Sequence, residues 1–227
     1  MSTEVSTTQP APTAYRFSAL LKAVVVMWRT AGPALLVIVV NTAVQGFLTW
    51  LNTQSGFSIG FLIAVVVSGI SVMALYAVLT SCALGAVDRD GASVLGRVKA
   101  HAGVFTGWAL LQWLLVLLVT LVHPALVLIV AALTPFLPIA AMDGQGNALG
   151  TNFRTLGGKF WRWLVTSVIL LIAGLVFFLL AAVDVFFIKG TPAAVFFWLA
   201  IGLVAWWLLT AWTLVYRAAR AQDEQPA

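Results

Sequence analysis

The sequence predicts an all-α fold: a polytopic membrane helical bundle of six transmembrane helices in three hairpin units, each preceded by a cytoplasmic amphipathic helix. Three observations favour this class. Hydrophobic residues make up 62% of the chain, charged residues only 8%, and the mean hydropathy is +1.06, whereas a soluble domain is about 25% charged. Apolar runs near the roughly 20 residues that a helix needs to cross a bilayer recur along the chain. Short basic segments with helical periodicity precede alternate runs.

Composition divides the chain into three regions. Residues 1–14 are rich in Ser, Thr and Pro, carry one charged residue, Glu4, and are expected to be a disordered tail. Residues 15–217 form the predicted six-helix transmembrane domain, and residues 218–227 a flexible polar tail. No basic stretch followed by an apolar core and a cleavage site opens the chain, so we expect its N-terminus to stay attached.

The first unit begins with a basic segment at residues 15–29. Lys22 and Arg29 lie seven residues apart, on one face of a helix, and this spacing predicts an interfacial helix with its basic side toward anionic headgroups. The alternative is that the segment extends the first membrane span. We predict that first span at residues 33–51 and the second at residues 57–87, with a short polar turn between them.

The second unit follows the charged turn at residues 88–91. Residues 93–102 predict another amphipathic helix, residues 103–123 the third span, and residues 125–142 the fourth. Pro135 and Pro138 fall within this fourth span. Because proline removes a helical hydrogen bond and clashes with the preceding turn, we expect a kink there.

The third unit has the clearest amphipathic pattern. Its apolar positions recur at helical spacing on one face, and they are Leu149, Phe153, Leu156 and Phe160. Asn147 stands where a helix N-cap is expected. The fifth span is predicted at residues 160–188 and the sixth at residues 192–216.

The basic residues predict the orientation. Eleven of the 12 fall in segments that would share one side of the membrane, and only Lys189 falls on the other. Basic loops face the cytoplasm, so we expect a bacterial inner-membrane protein with both termini cytoplasmic. Its partners would be membrane lipids with anionic headgroups and a membrane protein; the net charge of +5 is too dispersed to indicate nucleic acid. The predicted headgroup-binding residues are Lys22, Arg29, Arg97, Lys99, Arg154, Lys159 and Arg162.

Few residues suggest chemistry. Asp184 is the only acid within a span, and we interpret it as an interfacial residue, with an ion or proton site as the alternative. His101 and His123 are expected on opposite sides of the bilayer, which excludes a paired-histidine site. Cys82, the one cysteine, is expected to be a buried packing residue. No nucleophile elbow or phosphate loop occurs, so no catalytic residue, cofactor or metal site is predicted.

Several polar side chains lie within the predicted spans. Asn41, Gln112 and Thr134 are the main examples. Hydrogen bonding between helices is the favoured interpretation, and the alternative is a polar path for a transported substrate.

One stretch resembles a known family. Residues 141–164 contain an acidic-Gly turn, a short helical segment and a Gly-Lys-aromatic-Trp element, carried by Asp143, Gly144, Gly158, Lys159, Phe160 and Trp161. This pattern resembles the membrane domain of bacterial glycerophosphoryl diester phosphodiesterases and related six-helix bacterial membrane proteins. The catalytic part of that family is a separate soluble barrel domain, to which nothing in this chain corresponds. The resemblance therefore implies the fold and no activity.

Three function hypotheses follow. The first is a non-enzymatic scaffold, accessory or regulatory component of a bacterial membrane or envelope complex. The second is a small transporter or lipid-handling protein, which requires a water-accessible cavity lined by Asn41, Gln112 or Thr134. The third is an enzyme, which would require one pocket uniting four side chains, Asp88, Asp90, Asp143 and His101.

Overall fold

A computed structural model describes residues 18–51, 59–123, 126–157 and 190–223, together with residues 168, 172, 174 and 176. The regular structure in these ranges is helical, and no strand occurs within them. The predicted all-α fold is confirmed for this part of the chain. The fifth predicted span lies almost wholly outside it, as do Asp184, Lys159 and Arg162.

The basic N-terminal segment is continuous with the first long helix. Helix α1 (Ser18–Met27) passes through a 3-10 turn at Trp28–Thr30 into α2 (Ala31–Leu51). The residues on either side of the turn keep right-handed helical torsion angles. Pro33 cannot donate to the carbonyl one turn earlier, which accounts for the local tightening. The segment therefore extends the first span, which is the alternative interpretation, instead of forming a separate helix.

Two further long helices follow. Helix α3 covers Ile59–Asp88, and α4 covers Val94–Val122. The Ser93 hydroxyl caps α4 by accepting a hydrogen bond of 2.9 Å from the Gly96 N–H. The predicted amphipathic segment at residues 93–102 is the first part of α4, not a separate helix, because Gly103 weakens a helix without breaking it.

Four helices are long and apolar enough to cross a membrane. They are Leu20–Leu51, Ile59–Asp88, Val94–Val122 and Thr191–Ala221, and they correspond to the first, second, third and sixth predicted spans. The last belongs to α8 (Thr191–Asp223). We expected a flexible tail from residue 218, but the helix continues to Asp223, and Ala219 in this extension is fully buried.

The fourth predicted span is a short broken helix. Helix α5 (Leu126–Leu133) ends before Pro135, and α6 (Leu137–Met142) begins after it with Pro138 in its first turn. The predicted kink is thus a complete interruption. Seventeen residues of helix would reach only about 25 Å, so this segment is shorter than the roughly 30 Å core of a bilayer. Helix α7 (Ala148–Gly157) follows, and the predicted cap is present: Asn147 accepts a 2.8 Å bond from the Gly150 N–H.

The core lies where α2, α3 and α8 meet. Glycines allow the first and last of these helices to approach closely. A Cβ on Gly202 would lie 2.8 Å from Ile38 Cγ2, and one on Gly46 would lie 2.9 Å from Val195 Cγ2. The outward faces of α2, α3 and α4 instead expose large apolar side chains such as Leu62 and Leu118. Such continuous apolar surface is compatible with a multi-pass membrane protein.

Side-chain contacts bring several helix ends together at one end of the bundle. Arg29 donates to the Ala86 carbonyl over 3.1 Å, which joins the α1–α2 turn to the end of α3. Arg97 in α4 donates to the Ser81 carbonyl over 3.0 Å. We call this the charged end, because it also holds Asp88, Asp143 and Arg217.

Candidate functional site

Arg217 is the centre of the charged end. From the last turns of α8 it binds Asp88 through Nε and Nη2, at 2.7 and 2.6 Å. It binds Asp143 through Nη1 and Nη2, at 2.9 and 2.5 Å. Its planar guanidinium matches both carboxylates in the paired geometry that lysine cannot reproduce. One side chain therefore joins α8 to the end of α3 and to the turn after α6.

Asp143 has two further partners on α8. Arg220 Nη1 donates to it over 2.9 Å, and the Tyr216 hydroxyl donates over 3.0 Å. The guanidinium carbons of Arg217 and Arg220 lie 5.5 and 6.0 Å from the centre of the Tyr216 ring, within range of cation–π attraction. The Asp143 and Asp88 side chains are only 13% and 18% exposed, so each carboxylate needs these cations.

The turn after Asp143 requires glycine. Gly144 has φ +75, in the left-handed region, and a Cβ there would lie 2.8 Å from His101 Cε1. Any larger residue would be strained and would also clash with the imidazole. The turn therefore packs against α4, and this brings His101 near Asp143. The described contacts include no hydrogen bond between these two side chains.

Asp90 forms a separate ion pair. Its carboxylate lies 2.5 Å from Arg97 Nη2, and the Ala92 N–H donates to it over 3.2 Å. Partial burial opposes ionisation of this carboxyl, but the hydrogen bonds from Arg97 and Ala92 outweigh it and lower the pKa of Asp90. The Arg97 side chain is only 9% exposed. It therefore points into the protein, although we predicted it to contact headgroups.

A groove with a basic rim lies between α1, the end of α3 and α8. Its volume is 670 Å³. Its walls are apolar and its rim carries three cations; the lining residues are Leu21, Lys22, Val25, Val26, Arg29, Val87, Arg89 and Leu214. We call it the basic groove. Arg89 follows the last residue of α3 and has φ +55, an unusual conformation for a residue with a side chain.

The predicted polar-path residues fall into two hydrogen-bonded groups. Asn41 accepts a 2.8 Å bond from Ser71 and lies with Gln45 between α2 and α3. Gln112 donates to the carbonyl and hydroxyl oxygens of Thr134 over 3.2 and 2.8 Å, and so binds α4 to the break between α5 and α6.

A second amide supports the same break from the other side. Asn152 in α7 accepts from the Phe136 N–H over 3.0 Å and donates to the Leu133 carbonyl over 2.8 Å. Backbone groups that the helix interruption leaves unpaired thus find side-chain partners. No pattern in the sequence indicates this contact, since Asn152 is 16 residues from Phe136.

Five of the seven predicted headgroup residues are described, and Lys159 and Arg162 lie outside the described residues. Lys22 and Arg29 line the basic groove, whereas Lys99 and Arg154 are exposed outside it. We did not predict the central roles of Arg217, Tyr216 and Arg89. Asp88, Asp143 and Arg217 all stand at span ends on the same predicted side, which is the sequence signal that could have suggested their pairing.

No family model, curated protein or solved structure matches this chain. The resemblance to the phosphodiesterase membrane domain therefore stays a prediction.

The enzyme hypothesis required four side chains in one pocket. Asp88 and Asp143 do converge, but on Arg217, while Asp90 binds Arg97. Within the described residues, no group of three His, Cys, Asp or Glu side chains could hold a metal ion. His123 is at the opposite end of α4 from His101, about 33 Å away along the helix axis. Cys82 is fully buried.

Proposed function

We propose that this is a non-enzymatic integral membrane protein that serves as a scaffold, accessory or regulatory component of a bacterial membrane or envelope complex. In this proposal six transmembrane helices form three hairpins, and both termini and the charged end face the cytoplasm. The apolar outer faces of the described helices and the eleven-to-one distribution of basic residues support that arrangement.

The observation that carries the proposal is how the charges are used at the charged end. Asp88 and Asp143 are bound by arginines of α8, and Asp90 is bound by Arg97 near the start of α4. In contrast, five exposed cations make no ion pair with any described residue, and these are Lys22, Arg29, Arg89, Lys99 and Arg154. Internal ion pairs hold this surface together, and its exposed cations leave it positively charged. Such a surface attracts anionic headgroups and an acidic partner surface.

The experiment is to extract the protein with its native lipids in polymer nanodiscs. Co-purifying proteins and lipids are then quantified by mass spectrometry against an unrelated six-helix membrane protein. A stoichiometric protein partner, lost when Lys99 and Arg154 are changed to Gln, is the expected result. If no protein is enriched over the control and the lipid composition is unchanged, the accessory role is refuted.

The second candidate is a small transporter or lipid-handling protein, and the interrupted helix at Pro135 favours it. Discontinuous helices line substrate sites in many transporters. However, Gln112 and Thr134 are bound to each other, and Asn41 belongs to a different group. Neither the basic groove nor the 500 Å³ cleft between α3 and α4 includes these three side chains.

Cysteine labelling distinguishes these two candidates. In a Cys82→Ser background, single cysteines replace Asn41, Gln112 and Thr134, and a cysteine at exposed Lys99 is the positive control. In open membrane fragments, where both faces are accessible, we expect a membrane-impermeant maleimide to label only the control. Labelling at all three span positions would instead establish the water-accessible cavity that transport requires.

A further inference from the structure

We propose that the basic groove binds one anionic phospholipid, with its phosphate on Lys22, Arg29 and Arg89 and its acyl chains along the apolar walls. This inference rests on the proposed membrane function and deepens it. It replaces diffuse contact with headgroups by one defined lipid site, and it adds Arg89 to the residues that bind the lipid.

The shape of the groove follows from one helical face. Lys22, Val26 and Arg29 are spaced at i, i+4 and i+7, so α1 and its 3-10 turn present a continuous strip to the groove. Val87 and Leu214 supply the facing walls from α3 and α8. The volume of 670 Å³ lies within the range of about 300–1,000 Å³ that is typical of small-molecule sites.

The charge of the groove selects an anion. Among the described residues, its lining includes three cations and no acid. The neighbouring Asp88 is turned away, with both oxygens bound to Arg217. Arg29 uses Nη1 on the Ala86 carbonyl, which orients its guanidinium while other donors on the same group can still reach a ligand.

The backbone of Arg89 gives independent support. Its φ of +55 is a conformation that glycine or asparagine adopts readily at a helix C-terminus and that other side chains disfavour. The backbone alone therefore does not explain an arginine at this position. Strain of this kind is retained where the side chain has a use, and this side chain lines the groove.

The apolar walls distinguish a lipid from a soluble anion. A dissolved phosphate would use only the three cations and leave the valine and leucine surface in water. A phospholipid covers that surface with its chains and satisfies the cations with its phosphate oxygens. The position of the groove at the charged end of the bundle, where long apolar helices stop, matches the depth of a headgroup.

Native mass spectrometry of the delipidated full-length protein in detergent provides the test. The probes are phosphatidylglycerol, phosphatidylcholine and inorganic phosphate. We expect one tightly bound phosphatidylglycerol, preferred at least tenfold over phosphatidylcholine. Arg89→Asn and Lys22→Gln should each weaken it about fivefold. Lys99→Gln and Arg154→Gln, which remove equal charge outside the groove, should leave it unchanged.

Arg89→Asn also separates binding from folding. Asparagine tolerates positive φ, so this variant should unfold at the same or a higher temperature than the natural protein while binding less lipid. If all four variants weaken lipid binding equally, headgroup contact is diffuse; the groove is then refuted while the proposed membrane role survives. Competition by inorganic phosphate without any phosphatidylglycerol preference would refute the lipid. If none of the four variants changes lipid binding, both the groove and diffuse headgroup contact are refuted.

Discussion

Replacing Arg217 with leucine is the most direct test of the charged end. The substitution removes all four hydrogen bonds that hold Asp88 and Asp143 to one guanidinium. Asp143 keeps Arg220 and the Tyr216 hydroxyl. Asp88 loses its cation, and no other described ion pair includes it.

The size of the effect follows from burial. Removing one partner from a buried ion pair destabilises a protein by about 3–5 kcal/mol. Because Asp88 is 18% exposed and stands at the end of a helix, we expect the lower limit, about 3 kcal/mol. Arg217→Lys should lose less, since it keeps the charge and gives up the paired geometry. Combining Arg217→Leu with Asp88→Asn should recover about 1–2 kcal/mol, because the stranded carboxylate is gone.

The assay is unfolding in mixed micelles with increasing SDS, followed by circular dichroism. The control is Arg154→Leu, which removes an exposed arginine at the same end and should change stability by less than about 0.5 kcal/mol. If Arg217→Leu is as stable as this control, the ion pairs do not hold the helix ends. If the Asn substitution gives no recovery, stranded charge is not the cause of the loss.

Three further predictions use the same unfolding assay or hydrogen exchange. Gly202→Ala should destabilise the protein by about 1–3 kcal/mol, because the added methyl group overpacks the α2–α8 contact. Gly103→Ala has open space around its Cβ and should stabilise the protein by up to about 1 kcal/mol. Equal effects of the two substitutions would contradict close packing at Gly202. Asn152→Leu should destabilise by about 2 kcal/mol and speed exchange of the residue 136 amide, and unaltered exchange would show that the bond is dispensable. Hydrogen bonds from Arg97 and the Ala92 N–H outweigh burial and hold the pKa of Asp90 below its ordinary value of 3.8. The stabilisation by this carboxylate is therefore present above that value and is lost as the pH falls through the lowered pKa. In Arg97→Gln this acid-dependent loss should become smaller, because the Ala92 bond remains.

Hydropathy predicted the long helices well, because an apolar run of bilayer length has few alternative structures. It failed at the ends of those runs. The charges at Lys22 and Arg29 suggested a separate interfacial helix, but local charge does not interrupt backbone hydrogen bonding, and α1 continues into α2. The same reason explains why the segment around Arg97 belongs to α4. Pro135, in contrast, acts on the backbone itself, and where a kink was predicted the helix is interrupted between α5 and α6.

The candidate site was only partly predictable. The i, i+7 spacing placed Lys22 and Arg29 on one face of a helix, and both line the basic groove. The third cation, Arg89, could not be inferred, because it joins them only through the packing of α3 against α1. The pairing of Arg217 with Asp88 and Asp143 likewise depends on which helices are neighbours, and periodicity along one chain does not contain that information.

The interruption between α5 and α6 has a consequence for biogenesis. Asn152 from the following helix satisfies its unpaired Phe136 N–H and Leu133 carbonyl, and Gln112 from the preceding helix binds Thr134 beside them. In lipid, each such group without a partner is costly. This segment is therefore poorly suited to partition alone from the translocon into the bilayer. We expect the α5–α6 segment to stay in the translocon until all of residues 94–157 have emerged from the ribosome. The whole range would then enter the membrane together.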